Sequence, residues 1–501
     1  MLRNAVQIHN KAVIQHNDHD SVTPTDHGLA YAEANFVRFV AELREFVSYP
    51  SISAQPQHAK DVKKCAEWLA NNLRLIGLEH VKIVPTRSHP IVYAEWCRLP
   101  GYPTVLIYGH YDVQPPDPLN EWHSPPFVPV VRGENLYGRG ASDNKGQMFA
   151  HIKALESYLR TTGKLPVNVK CIFEGEEEIG SPNLTPFITR YKDALAADVA
   201  VISDMKILSP ECPAITYAMR GALSLELKVV GPKQDMHSGV FGGVVHNPLQ
   251  ALCEIISKLH DSSGRVQIPG FYDHVRQGAV KERDYMARVG PTDEQILSEA
   301  QVEKGWGEWG YTLYERTTLR PALTINGIIG GYQGKGDKAI IPAKATAKLS
   351  FRLVPDQNPK EIDHLFRQHI ARITPPTVRS TVRTSFGAKP IIINRHHPAI
   401  RAAAKAYYKG FGAMPVSLRS GGTIPVINIF QDVLGIPTVL MGLGLPDDRI
   451  HAPNEKFYLP NFYNGITTCI WFLAEMESYK RFNNNEVEKG TIAKELVCYD
   501  R

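Results

Sequence analysis

The stretch Val167-Asn168-Val169-Lys170-Cys171-Ile172-Phe173 runs straight into Glu174-Gly175-Glu176-Glu177-Glu178-Ile179-Gly180-Ser181. Its first half is apolar and rich in β-branched residues, which predicts a buried strand. Four carboxylates in five positions then stand at the strand end. Like charges that close repel and raise one another's pKa, so something positive is expected beside them. A solvated acidic turn is the plain explanation. The sharper one is that one carboxylate binds a metal ion while its neighbour acts as a base on a metal-activated water.

The surrounding chain alternates strand and helix. Phe36, Val37, Val40, Leu43, Phe46 and Val47 recur at helical spacing and predict a helix over 33–48. Val62, Cys65, Ala66, Leu69, Leu73 and Ile76 mark a second helix, closed by Gly77. Short strands follow over 81–84, 91–96 and 104–108, the last entering Gly109-His110-Tyr111-Asp112. A helix carrying Met148, Ile152, Leu155 and Leu159 precedes the acidic strand, and a further strand over 198–202 ends at Ser203-Asp204. This alternation implies an α/β sheet with helices on its faces.

After Pro213 the pattern changes. Leu223, Leu225, Leu227 and Val229 alternate with polar residues, as in a strand with one wet face. Helices from Pro248 and Pro359 and strands over 323–329, 346–354 and 377–385 complete a β-α-β-β-α-β order, the ferredoxin-like arrangement. A polar, partly helical insertion interrupts it over 261–319. The α/β character then returns, with a helix after Pro398, a strand over 437–441 and a long helix from about Pro460. The chain therefore divides into a flexible N-terminal extension (1–32), a catalytic part (33–213), an inserted α+β domain (214–388), a second catalytic part (389–482) and a polar tail (483–501). A length of 501 residues also calls for more than one core.

Composition removes some functions. A net charge of +5 without a dense Lys/Arg run argues against nucleic acid and anionic membrane as partners. No apolar stretch reaches the roughly 18–20 residues of a membrane span. Seven cysteines, odd in number and widely spaced, predict reduced thiols in a cytoplasmic protein and no thiolate-bound zinc. His9, His16, His19 and His27 belong to a polar tail rather than to a metal tract. The Gly-rich stretches 138–146 and 330–336 lack the G-x-x-x-x-G-K-[S/T] pattern of a phosphate loop.

Five ligand-type residues stand at strand ends or in loops: His110, Asp143, Glu178, Asp204 and His451. In an α/β sheet the carboxyl ends of the strands line one crevice, where ligands bind. Singly, each has a dull explanation as a turn, cap or hydrogen-bonded residue. Together, two imidazoles and three carboxylates form a nitrogen-and-oxygen set that suits two divalent ions. One carboxylate must then bridge ions roughly 3.5–4 Å apart.

On these residues the chain resembles the dinuclear-zinc metallopeptidase family of carboxypeptidase G, acetylornithine deacetylase, succinyl-diaminopimelate desuccinylase and aminoacylase, and within it the carnosinase-like cytosolic dipeptidases. The matching stretches are Gly109-His110-Tyr111-Asp112-Val113-Gln114, Gly138 to Gly146, the acidic stretch ending Gly180-Ser181, Ser203-Asp204 and His451-Ala452-Pro453-Asn454-Glu455. The resemblance implies that His110 and Asp204 bind one metal, Glu178 and His451 the other, and that Asp143 bridges them. It implies that Glu177 is the general base and that Asp112 fixes the ring of His110. The peptide from Asp143 to Asn144 is cis in relatives. Two divalent ions per subunit follow, with zinc expected and manganese or cobalt accepted by the same donors. Choosing Glu177 and Glu178 rather than Glu176 and Glu177 rests on the distance to Gly180-Ser181.

The inserted domain resembles the family's lid and dimerisation domain. Met236-His237-Ser238-Gly239 resembles the stretch whose His stabilises the oxyanion in the partner subunit's site. Arg352, in Ser350-Phe351-Arg352-Leu353-Val354-Pro355, resembles the Arg that pairs with the substrate's terminal carboxylate. Gly421, Gly422 and Thr423 lie in a loop similar to the one that holds the substrate backbone. The sequence departs from the dipeptidase branch at Ala339, where Thr often stands. The resemblance thus implies a homodimeric metallopeptidase for dipeptides or short peptides with a free C-terminal carboxylate. A deacylase or desuccinylase of N-acyl amino acids is the alternative, and a non-catalytic metal- or peptide-binding relative a remote one.

Overall fold

The computed structural model describes residues 22–479. His9, His16, His19, Cys498 and the tail from 483 therefore lie outside the described residues. Contacts divide the chain into two compact units. One takes the chain to Ile215, Asn394–Val416 and the residues from Ile429 on; the other comprises Thr216–Ile393 and Ser417–Asn428.

The first unit opens with helix α1 (Pro24–Ser48). It starts earlier than the apolar spacing predicts, so residues 24–32 are helical and not part of a flexible extension. Thr23 and Asp26 form a reciprocal capping box and Pro24 occupies the first turn, a local signal that polar neighbours hide from a periodicity count. Helix α2 (Ala59–Ile76) closes on Gly77 at φ 104, a left-handed position that glycine adopts without strain. Strands β1 (Glu79–Val84), β2 (Ile91–Trp96) and β3 (Thr104–His110) follow, then α3 (Gln147–Thr161), β4 (Asn168–Glu174) and β5 (Val199–Lys206).

The second unit contributes β6 (Gly221–Val230), α4 (Pro248–Ser257), β7 (Ala322–Gly330), β8 (Lys344–Leu353), α5 (Pro359–Ile373) and β9 (Arg379–Ala388). The β-α-β-β-α-β order is the predicted one. The sheet runs β7-β8-β6-β9, antiparallel throughout. Leu223, Leu225, Leu227 and Val229 of β6 bury one face with Ile255 of α4 and Phe366 of α5. Burying such a side chain contributes about 1.5–3 kcal/mol. Short helices Val280–Val289, Asp293–Ala300 and Leu313–Thr318 occupy the insertion between α4 and β7.

The chain returns to the first unit with α6 (Pro398–Phe411), β10 (Thr438–Gly444) and α7 (Leu459–Glu477). Six strands of this unit lie in the order β1-β2-β4-β3-β5-β10. The β1, β2 and β4 pairings are antiparallel, whereas β4-β3, β3-β5 and β5-β10 are parallel, so the sheet is mixed. Helix α3 is buried from Gln147 to Tyr158, packed by α1 and α7. Phe46, Trp68, Phe149 and Phe462 stack between four helices.

Candidate metal centre

The parallel strands β4, β3, β5 and β10 point their carboxyl ends the same way, and each feeds a polar residue to that rim. His110 ends β3. Beyond Glu174, the last residue of β4, the chain makes a single helical turn, Glu177–Ile179. Asp204 lies inside β5 and not past its end, because pairing with β10 continues to Lys206. His451 follows β10 at φ 62. Asp143 sits in the irregular segment ahead of α3, and the 143–144 peptide is cis. Gly146 is required there: a Cβ would stand 2.1 Å from the Ala141 carbonyl oxygen.

Asp143 occupies the middle of the cluster. Its Oδ1 lies 3.2 Å from His110 Nε2 and its Oδ2 lies 2.9 Å from His451 Nε2. Asp204 Oδ2 is 3.6 Å from His110 Nε2, and Glu178 Oε2 is 3.3 Å from His451 Nε2. The donors form two groups, His110–Asp143–Asp204 and Asp143–Glu178–His451, each with its atoms within 4.8 Å of one another. His110 Nε2 and Glu178 Oε1 are buried without a hydrogen-bond partner among the described residues. Buried polar atoms are rarely left so, and a cation bound among them would complete both. A hard nitrogen-and-oxygen donor set with a shared carboxylate fits a pair of divalent ions.

The local electrostatics point the same way. Burial opposes ionisation of Asp143, yet His110 and His451 against its oxygens hold it below the carboxylate range. His451 is pushed up to about 10, by Asp143 first and then Glu178. Glu177 is driven well above the usual range by burial, against the pull of His110. Glu178 and Asp204 are raised by burial and then by Asp143. An acidic cluster this short of cations favours a bound metal ion.

The four glutamates separate by their partners. Glu174 accepts from the hydroxyls of Tyr108 at 2.5 Å and Ser181 at 2.9 Å, and burial pushes it up to about 8. Glu176 accepts from the Thr86 hydroxyl, the His89 backbone and the Asn183 amide. Glu178 stands beside His451 and accepts from Gln114 Nε2 at 2.7 Å. The Glu177 carboxylate takes no hydrogen bond among the described residues.

Asp112 is completely buried and is used twice. His110 Nδ1 lies 3.2 Å from its carbonyl oxygen and 3.5 Å from its Oδ1. Its carboxylate also accepts the backbone N–H groups of Glu177 at 3.2 Å and Glu178 at 3.1 Å, which pins the acidic turn to β3.

Sequence reasoning missed several supports. The buried Glu455 accepts from Arg139 Nη1 at 2.8 Å and from the backbone of Gly140, Ser142 and Asp143 at 2.9–3.0 Å, clamping the segment that carries Asp143. Asn144 Nδ2 donates to Asp204 Oδ1 at 2.9 Å. Glu455 stands in the His451 stretch, so the signal was present, but nothing in sequence tells a carboxylate facing backbone amides from one facing a metal.

The remaining predicted residues belong to the second unit. His237 is exposed, pairs with Ile340 in a short ladder, and accepts the Gly239 N–H on Nδ1 at 3.0 Å, which makes Nε2 the proton-bearing nitrogen. Arg352 projects from β8 and donates to Thr423 Oγ1 at 2.9 Å. Gly421, Gly422 and Thr423 follow the short strand Val416–Ser420.

Comparison with known proteins meets this geometry. The chain is 33% identical over 463 residues to human beta-Ala-His dipeptidase, covering 89% of this chain and 91% of that protein. It is 30% identical over 456 residues to a Cys-Gly metallodipeptidase of Candida albicans, covering 87% of this chain and 94% of that one. The solved structure of a di-peptidase from Saccharomyces cerevisiae shares the fold with a TM-score of 0.81 at 27% identity, covering 91% of this chain and 99% of that chain. Residues 106–474, a span that runs from β3 to α7 and holds every donor of the cluster, match peptidase family M20/M25/M40, and the chain belongs to that family.

Proposed function

We propose that this protein is a metal-dependent dipeptidase that hydrolyses the amide bond of dipeptides or short peptides with a free C-terminal carboxylate. The observation that carries the reading is the pair of donor groups sharing Asp143. His110 and Asp204 would hold one divalent ion, Glu178 and His451 the other, and Asp143 both. Zinc is the proposed ion, with manganese or cobalt able to replace it. When bound, such ions acidify a water and polarise the scissile carbonyl.

The chain's own residues do the rest. Glu177 takes the water's proton and delivers it to the leaving amine, so the C–N bond breaks with proton balance kept inside the site. Asp112 positions both the base and the neighbouring ligand through their backbone N–H groups and orients the ring of His110. His237 donates to the developing oxyanion across a two-fold interface, which makes the working form a homodimer and the second unit its lid and dimerisation domain. Arg352 binds the terminal carboxylate, and Gly421, Gly422 and Thr423 hold the substrate backbone. The six described cysteines are unpaired, in keeping with a reducing, cytoplasmic setting. The relatives' names point to dipeptides over N-acyl amino acids.

The test is a substrate screen on metal-loaded protein: dipeptides against N-acetyl and N-succinyl amino acids, with added Zn²⁺ or Mn²⁺. Dipeptide turnover is expected. Turnover of the N-acyl compounds alone would transfer the assignment to the deacylase alternative.

A further inference from the structure

Arg220 directly precedes β6, whose residue Ala222 pairs with Arg352 of β8. Arg220 stands at the mouth of that strand pair, near enough to Arg352 for the two charges to act on each other. Among the described residues, every hydrogen bond of the Arg220 side chain goes to a backbone carbonyl. Nε donates to Gly421 at 3.2 Å, and Nη1 donates to Arg316 at 3.3 Å and Arg320 at 3.4 Å. Among the described residues Arg352 donates once, to Thr423 Oγ1. The Thr423 hydroxyl in turn donates to the Arg220 carbonyl at 2.7 Å. The two arginines and the 421–423 loop are thus one connected network.

Neither arginine meets a carboxylate among the described residues. Nearby arginines do: Arg419 pairs with Glu282 at 2.6 Å and Arg320 with Glu308 at 2.8 Å. Burial, and then the charge of Arg352, push Arg220 down to about 9, and burial lowers Arg352 as well. Two partly buried cations without an anion are unfavourable on their own and become favourable when an anion joins them. The loop is also shaped to the guanidinium. A Cβ on Gly421 would stand 3.0 Å from Arg220 Nη2 and 2.5 Å from the Thr317 carbonyl, so only glycine lets the backbone approach this closely.

Resting on the peptidase reading above, we propose that Arg220 is a second, substrate-positioning guanidinium: with Arg352 it forms a dicationic cradle for the substrate's C-terminal carboxylate, and it holds Gly421 and Thr423 in register with that cradle. The experiment compares a dipeptide acid with the same dipeptide as its C-terminal amide, on metal-loaded, full-length wild type, Arg220→Gln, Arg220→Lys and Arg352→Gln. Arg220→Gln should raise KM for the acid about 10–100-fold, the range of one charge-assisted hydrogen bond. KM for the amide should rise by a clearly smaller factor, the share owed to the 421–423 loop, so the acid-to-amide preference falls. Arg220→Lys keeps the charge but loses the fork, so its acid-to-amide preference should fall between the two. Metal content should match wild type in all variants.

Equal losses on acid and amide would make Arg220 a brace only, and no loss would make it silent; either overturns the inference. Should Arg220→Gln fail to fold, Arg220→Lys decides: a threefold or larger fall in preference supports the cradle, and an unchanged preference overturns it. The Arg352→Gln arm separates the two levels. If Arg352→Gln leaves the preference intact while wild type cleaves dipeptides, the carboxylate assignment itself fails. If it abolishes the preference and Arg220→Gln does not, only the role of Arg220 fails.

Discussion

The two units carry opposite electrostatic imbalances, and they build them by opposite means. In the first, the rim of the parallel strands and the segment ahead of α3 gather Asp143, Glu177, Glu178 and Asp204 around two imidazoles, leaving buried atoms of His110 and Glu178 without a hydrogen-bond partner among the described residues. In the second, an antiparallel strand pair and the residue just before it bring Arg352 and Arg220 to one loop, where they meet only neutral oxygens among the described residues. Several other buried charges are matched by an opposite one. Arg139 meets Glu455, Arg320 meets Glu308, and Lys153 meets Glu156. Unmatched charge is costly inside a protein, and on the proposed function these two places give up folding stability for the ligands they bind. On the proposed function, the sign of each imbalance suits its ligand: divalent cations for the first, a carboxylate for the second.

Metal removal tests the first imbalance most severely. Exhaustive chelation should abolish peptidase activity, and Zn²⁺, Mn²⁺ or Co²⁺ should restore it. Asp143→Ala should lose both ions, because both donor groups depend on this residue. Full activity in metal-free protein would break the comparison at its root.

The next largest effect separates base from ligand. Glu177→Gln keeps shape and removes proton transfer, so kcat should fall on the order of 10²–10⁴-fold with metal content intact. Glu178→Gln should lose metal instead. The reverse pattern would move both roles by one position.

A third measurement asks whether the exposed His237 serves another chain. His237→Ala should bind metal and dimerise, yet lose activity on the order of 10²–10³-fold, as for a lost oxyanion donor. Mixing it with Glu177→Gln should regenerate up to about a quarter of wild-type activity. Half of randomly mixed dimers are mixed, and each mixed dimer has one intact site. No recovery after demonstrated subunit exchange would assign His237 to its own chain or to no catalytic role.

Much of this was legible in sequence because local rules and burial agreed. The helix ending at Gly77, the strand Ile91–Trp96 and the Asn358–Pro359 helix start follow from period, cap and proline alone. Where the reading went astray, long-range pairing or polar capping decided. Asp204 stays in β5 because β10, some 230 residues later, supplies a pairing partner as far as Lys206. Helix α1 begins at Pro24 because a capping box outweighs a polar first turn. The acidic run could not be resolved from its spelling, since Tyr108 and His89 reach Glu174 and Glu176 from separate segments while Ser181 and Asn183 fold back on them from just downstream. Glu455 was hidden for the same reason: its four donors come from residues 139–143.

The smallest effect should come from a matched charge, and it sharpens the contrast with the unmatched ones. Glu156 of α3 accepts from Lys153 Nζ at 2.7 Å and Arg38 Nη2 at 2.6 Å, and Lys153 also meets Glu42. Burial opposes its ionisation, but Lys153 and Arg38 outweigh it and hold the carboxyl below its ordinary value. A carboxyl depressed in the folded state stabilises fully above its unfolded pKa, about 4.3 for Glu. That contribution disappears as pH falls through the folded value. Glu156→Gln should therefore cost about 1–3 kcal/mol at pH 7, the range for losing a charged hydrogen-bond partner. The gap to wild type should narrow below about pH 4, when both proteins are unfolded metal-free so that ion loss does not enter. Metal content and kcat/KM at pH 7 should not change, because the network ends in salt bridges and not in a ligand site. A variant that lost metal or most of its activity would show that the charges of α3 support the centre after all, and the division between matched scaffold and unmatched site would not hold.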